Sequence, residues 1–193
     1  MAHDLKTPLT SVIGYLTLLR DEPELPAGTR EKYTGIALNS AQRLEELLNE
    51  FFEITRYNFS HMVLNLTRVN MSVMVEQMLY EFKPVFQQKG LEFEFVSQPE
   101  IFVQCDVERM ERVFDNLLKN VLNYSFPNTK ILVRLEQQSM AGMILVVENQ
   151  GKTIPKEKLE GIFDQFFRLD SSRDSKTGGT GLGLAVVKEI VQL

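Results

Sequence analysis

The sequence predicts an α+β chain with two parts, a helical hairpin that forms a dimeric four-helix bundle and an α/β sandwich that follows it. Three observations predict this fold class. Apolar residues recur at heptad spacing as far as residue 54, and the pattern changes from Asn58. Strands and helices then interleave without strict alternation, which favours a layered sandwich over a doubly wound sheet. We place the domains at residues 1–58 and 59–193.

Two helices carry the heptad pattern. Pro23 and Pro26 end the first helix, and Thr29 is the candidate N-cap of the second. The seam of the first helix is Leu5, Leu9, Val12, Leu16 and Leu19, and that of the second is Tyr33, Ala37, Ser40, Leu44, Leu47, Phe51 and Ile54.

Further apolar residues, at Ile13, Ile36, Leu48 and Phe52, widen each stripe beyond what one partner helix covers. A second copy of the chain would complete a four-helix bundle. The alternative is an intramolecular hairpin packed on the rest of the chain.

Composition and charge exclude several classes of protein. Apolar residues make up 44% and charged residues 24%, which is typical of an ordered globular protein. Because 26 acidic residues outnumber 21 basic ones and no basic block occurs, we expect no nucleic-acid partner. The single cysteine, Cys105, forms no intramolecular disulfide and favours a reducing compartment such as the cytoplasm.

The second part alternates between strand and helix patterns. Strands are predicted at residues 62–69 (or an extended linker), 91–96, 101–104, 129–135 and 143–147, and helices at 72–89, 106–124, 155–163 and from about Gly181. Asp106 is the expected N-cap of the 106–124 helix, Pro155 opens the short helix, and residues 170–180 form a polar loop.

The first candidate site is the run His3, Asp4, Leu5, Lys6, Thr7, Pro8. At about 100° per residue, His3 and Thr7 share a face turned away from the Leu5 seam. Asp4 is suited to accept the Nδ1 hydrogen of an imidazole, which leaves Nε2 nucleophilic and able to accept a phosphoryl group. Pro8 is expected to kink the helix one turn after the histidine.

The second candidate site lies on the helix from Asp106. Asn116, Asn120 and Asn123 share a polar face, although asparagine is a mediocre helix former. Amide oxygens are hard ligands for Mg²⁺, which keeps most of its shell as water and phosphate. Asn116 and Asn120 are thus placed to hold a metal-phosphate unit, and Tyr124 offers a flat face for a base; a chance polar face is the alternative.

Two glycine segments complete the pattern. Residues 178–184 (GGTGLGL) precede a helix, where backbone N–H groups can approach phosphate oxygens. Residues 148–155 (ENQGKTIP) follow a strong strand, where a side chain can contact the edge of a base. The first segment is neither a Walker nor a dinucleotide motif and is weak evidence alone, and the second is on its own only a turn.

Together these segments resemble the bacterial two-component sensor histidine kinases, whose five sequence boxes occur here in order. Residues 3–8 match H-[DE]-x-x-T-P, residues 116–120 match N-L-x-x-N, residues 148–155 take the place of the first glycine box, and residues 179–184 match G-x-G-L-G-L. The phenylalanine box is Phe163, Phe166, Phe167 and Arg168. The resemblance implies a dimerisation and histidine phosphotransfer domain followed by a Bergerat-type ATP-binding domain.

The resemblance also implies roles for single residues. His3 is implied as the phosphoacceptor, Asp4 as its orienting carboxylate, and Thr7 as the residue that positions water when a regulator is dephosphorylated. Arg168, with Arg173 less firmly, is implied to neutralise charge on the transferred group.

For ATP, the resemblance implies Asn120 as the Mg²⁺ ligand, Asn116 as a helper beside the phosphates and Tyr124 as the stacking ring. The remaining implied nucleotide-binding residues are Asn149, Gly151, Gly179, Gly181, Leu182 and Gly183.

Three departures from the family pattern concern the nucleotide. Asn123 replaces a basic residue, for which Lys119 or loop residues are candidate substitutes. Asn149 replaces the aspartate that accepts from the adenine amino group; because an amide also donates, we expect weaker selectivity for adenine. Thr153 replaces a glycine, so the turn is expected to be less open.

The family continues beyond both ends of this sequence, so we expect the cytoplasmic portion of a membrane-anchored bacterial sensor, C-terminally truncated. The missing strands would leave Val187, Ile190 and Val191 short of partners.

The predicted function is ATP-dependent, Mg²⁺-assisted phosphorylation of His3 and transfer to a response-regulator aspartate, with regulator phosphatase activity as an addition. The alternatives are a pseudokinase that binds nucleotide without transfer, and a serine kinase or gyrase-like ATPase.

Overall fold

The computed structural model describes the backbone of residues 2–57, 63–139, 142–169 and 180–193. It describes their side chains except at residues 2–4, 50, 53–57 and 139. The chain divides into two compact units, Met1–Asn58 (unit 1) and Phe59–Leu193 (unit 2). No helix in the described part of the chain is long and apolar enough to cross a membrane.

Unit 1 is the helical hairpin that the heptads predict. Its helices are α1 (Ala2–Asp21) and α2 (Ala27–Tyr57). The Ser40 hydroxyl donates to Ser11 Oγ across the pair at 3.0 Å, and the rings of Tyr15 and Tyr33 lie 5.2 Å apart. The helical backbone of α1 runs through Pro8 without a break, so helix geometry continues past the lost hydrogen bond.

The start of α2 differs from the prediction. The helix begins at Ala27, two residues before the expected cap at Thr29, because the carbonyl of Pro26 accepts from the backbone N–H groups of Thr29 and Arg30 at 2.9 and 3.0 Å. The guanidinium of Arg30 also donates to the carbonyl of Pro23 at 2.6 Å. A backbone carbonyl and a side chain from within the helix therefore set the turn, and Thr29 does not cap it.

The seam of α1 is split between two faces. Leu5, Val12 and Leu19 are partly buried, whereas Leu9 and Leu16 are 45% and 53% exposed. A single partner helix covers only one side of an a/d stripe, so half of the predicted seam faces outward.

The described residues of unit 2 form two sheets. Its elements in chain order are β1 (Leu66–Asn70), α3 (Met71–Gln88), β2 (Glu92–Ser97), β3 (Phe102–Asp106), α4 (Val107–Tyr124), β4 (Lys130–Ser139), β5 (Gly142–Glu148) and α5 (Gly183–Val191). β1 pairs antiparallel with β3. In the other sheet β4 lies between β2, which is parallel to it, and β5, which is antiparallel.

The core of unit 2 lies between the sheets and α3 and α4. Ile131, Val133 and Leu135 alternate along β4 and are at most 1% exposed, so one face of this strand is fully buried. Phe86 of α3 and Leu118 of α4 belong to the same apolar cluster. The predicted cap of α4 is confirmed, because the Asp106 side chain accepts from the backbone N–H of Arg109 at 3.3 Å.

Two predictions for the C-terminal part are wrong. Residues 155–163 form two 3₁₀ turns, Lys156–Lys158 and Glu160–Phe163, instead of one short helix, since i→i+3 bonds such as Lys158 N–H to Pro155 O close these turns. Val187 and Ile190 are also buried, because α5 packs on α4, although Val191 is 66% exposed as expected.

Candidate functional site

The predicted phosphoacceptor lies in the first turn of α1. His3 and Asp4 have helical backbone, and their side chains lie outside the described residues. Thr7 is exposed one turn later, beside Pro8. The pairing of His3 with Asp4 therefore stays a prediction, while the helical backbone places His3 and Thr7 on one face of α1.

The asparagine face of α4 meets the N-terminus of α5. The Asn116 amide donates from Nδ2 to the carbonyl of Arg112 at 2.9 Å, which fixes the side chain along its own helix. A methyl group at Gly183 would lie 2.9 Å from Asn116 Oδ1, so a side chain at this position would require the Asn116 amide to shift. The first-turn N–H groups of α5 have no partner within the helix, and they begin beside this amide oxygen.

The second glycine segment rests on the phenylalanine box. Gly181 has φ +76°, and a methyl group there would lie 2.7 Å from the carbonyl oxygen of Phe167. The backbone N–H of Phe166 donates to the carbonyl of Gly181 at 2.8 Å. These contacts hold the end of the glycine segment at the start of α5, because neither backbone can move without the other.

Four further residues were predicted for the site, and the structure describes two of them, Leu182 and Arg168. The Leu182 side chain is fully buried, and its backbone N–H donates to Thr180 Oγ1 at 3.2 Å, so a contact with nucleotide is left to its backbone. Arg168 is exposed. Gly179 and Arg173 lie outside the described residues.

The expected base-binding residues meet at the end of α4. Tyr124, the last residue of α4, is 42% exposed. Asn149, which follows β5, donates from Nδ2 to Oγ of Ser125 at 3.0 Å. A methyl group at Gly151 would lie 2.4 Å from the carbonyl oxygen of Tyr124, so the glycine allows this turn to reach the helix end.

Ser125 stands out in no sequence pattern, yet it links these groups. It is 4% exposed and forms a β-bridge with Gly151. Its position directly after Tyr124, at the end of a helix, is the one available signal, because a serine there can bond back to the helix carbonyls.

The donor set fits a magnesium ion held mainly by phosphate. Among the described residues no three His, Cys, Asp or Glu side chains cluster in a way that could hold a metal. Asn120 is partly buried, on the same helix face as Asn116. Mg²⁺ needs few protein ligands when phosphates supply the others, so one amide oxygen suffices.

Lys119, the candidate substitute for the missing basic residue, pairs with a carboxylate on its own helix. Its Nζ lies 2.8 Å from Oδ2 of Asp115, one turn earlier on α4, and Arg112 lies 3.6 Å from the same atom. Asp115 therefore offsets much of the positive charge on this part of the helix.

Comparison with known proteins gives the class. Residues 1–58 match the model of the His Kinase A (phospho-acceptor) domain, and residues 105–193 match that of the histidine kinase-, DNA gyrase B- and HSP90-like ATPases. The first of these domains separates the chain from the gyrase-like and HSP90-like ATPases, which share the second. The chain belongs to the two-component sensor histidine kinases, as its sequence boxes predict.

Within this class the chain is VanS-like, which residues 3–16 and 51–57 also predict. It is 48% identical over 191 residues to the sensor protein VanSC of Enterococcus gallinarum and 44% identical over 193 residues to VanS of Enterococcus faecium. Each alignment covers 99% of this chain, and 52% and 49% of the two relatives. The chain thus spans about half the length of these relatives.

Solved structures agree with the fold. The histidine kinase AdeS of Acinetobacter baumannii has a TM-score of 0.77 at 28% identity, covering 98% of this chain and 86% of its own. The histidine kinase ThkA, in complex with the response regulator protein TrrA, has a TM-score of 0.72 at 25% identity, covering 86% of this chain and 48% of its own.

Proposed function

We propose that this chain is a kinase core that binds Mg-ATP in unit 2, phosphorylates His3 and passes the phosphoryl group to an aspartate of a response-regulator receiver domain. The observation that carries the proposal is the close approach of Asn116 to Gly183, which joins the asparagine helix to the N-terminus of α5. The N-terminus of a helix is a natural phosphate site, and the neighbouring amides suit a metal-phosphate unit.

For the nucleotide, we assign the phosphates to the backbone N–H groups of Gly179, Gly181 and Gly183, and to that of Leu182 when it exchanges its bond to Thr180 Oγ1 for one to a phosphate oxygen. Asn120 is the proposed magnesium ligand, and Asn116 lies on the phosphate side of it. When bound, Mg²⁺ neutralises charge on the phosphate oxygens. Tyr124 offers its exposed ring to the base, and Arg168 supplies positive charge for the transferred group.

For the transfer, Nε2 of His3 is the proposed nucleophile. Asp4 accepts the Nδ1 hydrogen, so the Nε2 lone pair points outward. The Nε2–P bond forms as the bond from the γ-phosphorus to its bridging oxygen breaks, and ADP leaves. In the second step the N–P bond breaks and a carboxylate oxygen of the regulator takes the phosphoryl group. Thr7, exposed one turn from His3, is proposed to position water when the regulator is dephosphorylated.

The partners are part of the proposal. A receiver domain is supported by the kinase-regulator complex formed by ThkA. A homodimer through unit 1 is supported by the outward stripe of Leu9, Ile13 and Leu16, which are 45% to 56% exposed, and by Phe52 at 59%. We further propose that the chain is the cytoplasmic portion of a membrane-anchored sensor, and that nucleic acid is not a partner.

Incubation with γ-labelled ATP and Mg²⁺ tests the proposed function. We expect an acid-labile, base-stable label on the wild-type chain that is lost in His3→Ala. His61→Ala changes the second histidine of the sequence and is the matched control, which should keep the label. Nucleotide binding without label would support the pseudokinase, and acid-stable label would support a serine kinase; either result contradicts the proposal.

A further inference from the structure

The orientation of one side-chain amide decides which base the proposed nucleotide site prefers. An asparagine at position 149 can present either its carbonyl oxygen, which suits the amino group of adenine, or its NH₂, which suits the carbonyl oxygen of guanine. The sequence alone leaves both open and leads to the expectation of weak selectivity. The hydrogen bonds around Ser125 remove this ambiguity.

The Ser125 hydroxyl has a fixed direction. Its Oγ lies 2.6 Å from the carbonyl oxygen of Val121, one turn back on α4. A carbonyl oxygen only accepts, so the single hydroxyl hydrogen of Ser125 is used in this bond. Because Ser125 is buried at 4% exposure, exchange of this bond for one to water is disfavoured.

The same hydroxyl can then only accept from Asn149. The Asn149 Nδ2 atom lies 3.0 Å from Ser125 Oγ, and the NH₂ group is the part of the amide that can donate. The reverse orientation would set the amide oxygen against the hydroxyl oxygen, with no hydrogen between them. The amide therefore presents Oδ1 on the edge that faces away from Ser125.

The backbone keeps this pair together. The N–H of Phe126 donates to the carbonyl of Gln150 at 2.7 Å, and Gly151 forms a bridge with Ser125. These two contacts tie the turn after β5 to Ser125 and Phe126, the residues that follow α4, so Asn149 stays within reach of Ser125.

We propose that Ser125 is a positioning residue that holds Asn149 with its carbonyl oxygen available to the base, so that the site selects adenine over guanine. The inference rests on the proposed function, because it concerns the base of the same nucleotide. It replaces the expectation of weakened selectivity with the opposite one, and it makes Asn149 equivalent to the aspartate of the family.

Equilibrium binding of Mg-ATP and Mg-GTP tests this inference without any phosphoryl transfer. We expect the wild-type chain to bind ATP at least about tenfold more tightly than GTP. The reason is that Asn149 Oδ1 accepts a hydrogen bond from the amino group of adenine but faces the carbonyl oxygen of guanine, which cannot donate. Ser125→Ala frees the amide to rotate, and the ratio should fall by about five- to tenfold. Ser125→Thr keeps the hydroxyl and should keep the ATP-to-GTP ratio of the wild-type chain.

The Asn149→Asp variant shows whether Ser125 acts through the orientation of the Asn149 amide. A carboxylate has no hydrogen to donate, so it presents an acceptor to the base in every orientation, and the Ser125 hydroxyl can turn from Val121 to donate to its other oxygen. Ser125→Ala then does not change which kind of group faces the base, and the ATP-to-GTP ratio should stay unchanged in the Asn149→Asp variant. Both nucleotides are measured on the same preparation of each variant, so a smaller folded fraction does not change the ratio.

The outcomes separate the two claims. An unchanged ratio in Ser125→Ala, or an equal fall in both backgrounds, would overturn the role of Ser125 and leave the kinase proposal standing. Failure of the wild-type chain to bind either nucleotide would overturn the proposed function and this inference with it.

Discussion

The two units of this protein bury their apolar side chains to different degrees. Among the described residues of unit 1, only Ala37 and Leu47 are buried apolar residues, and Leu9, Ile13, Leu16, Leu38 and Phe52 are strongly exposed. Unit 2 has a continuous core that runs from α3 through the sheets to α4. The difference indicates that unit 2 is stabilised by its own packing, whereas the hairpin needs a second surface to cover it.

The largest effect should come from the core of unit 2. Phe86→Ala removes a ring that is 1% exposed and should lower the free energy of unfolding by about 3–5 kcal/mol. Val85→Ala, beside it on α3 and 42% exposed, is the control and should cost less than about 1 kcal/mol. Urea unfolding followed by circular dichroism measures the loss of unfolding free energy in both variants. Similar losses would contradict the assignment of Phe86, and not Val85, to the core.

Replacing glycine by alanine should change the free energy of unfolding in opposite directions in the two units. Gly151→Ala places a methyl group 2.4 Å from the carbonyl of Tyr124 and should destabilise unit 2 by about 2 kcal/mol or more. Gly14→Ala, in the interior of α1, meets no atom within 4 Å and should stabilise the hairpin by about 0.5–1 kcal/mol. Thermal unfolding of the two variants shows whether their shifts have opposite directions.

A charge on the outward stripe of α1 should break the proposed dimer. Ile13→Lys places an ammonium on a residue that is 56% exposed in one chain, so helix content should stay while dimer dissociation increases by about tenfold or more. Leu66→Lys, at a 55% exposed position in unit 2, is the matched control. Sedimentation equilibrium measures both, and an unchanged dimer in Ile13→Lys would point to another surface.

The smallest effect concerns a helix cap. Asp106→Ala removes the acceptor for the backbone N–H groups of Arg109 and Asn65 and should cost about 1 kcal/mol of unfolding free energy. The loss should appear in unit 2 and not in the hairpin, whose α2 is started by a backbone carbonyl. An effect within measurement error would mean that solvent replaces the cap without cost.

The elements that could be predicted from the sequence are those whose formation depends on residues close together in the chain. The heptads place α1 and α2, the Asp106 cap starts α4, and the alternation of Ile131, Val133 and Leu135 marks the buried strand. The 3₁₀ turns of residues 155–163 could not be predicted, because a few hydrogen bonds separate them from an α-helical turn.

The candidate nucleotide site shows the same division. Asn116, Tyr124 and Gly181 could be named from the sequence because residue type and spacing alone suggest amide ligands, a stacking ring and a phosphate-binding backbone. Ser125 could not, because a buried serine at a helix end gains its importance from Asn149, 24 residues later.

The amino-acid sequence alone determined the two-part architecture, the family and the residue types of the site, because periodicity, capping and short motifs act over neighbouring residues. Tertiary structure decided which half of the α1 seam faces α2, that Val187 and Ile190 are covered, and how the Asn149 amide is oriented. Each of these depends on atoms brought together from distant parts of the chain, and no local preference specifies such a contact.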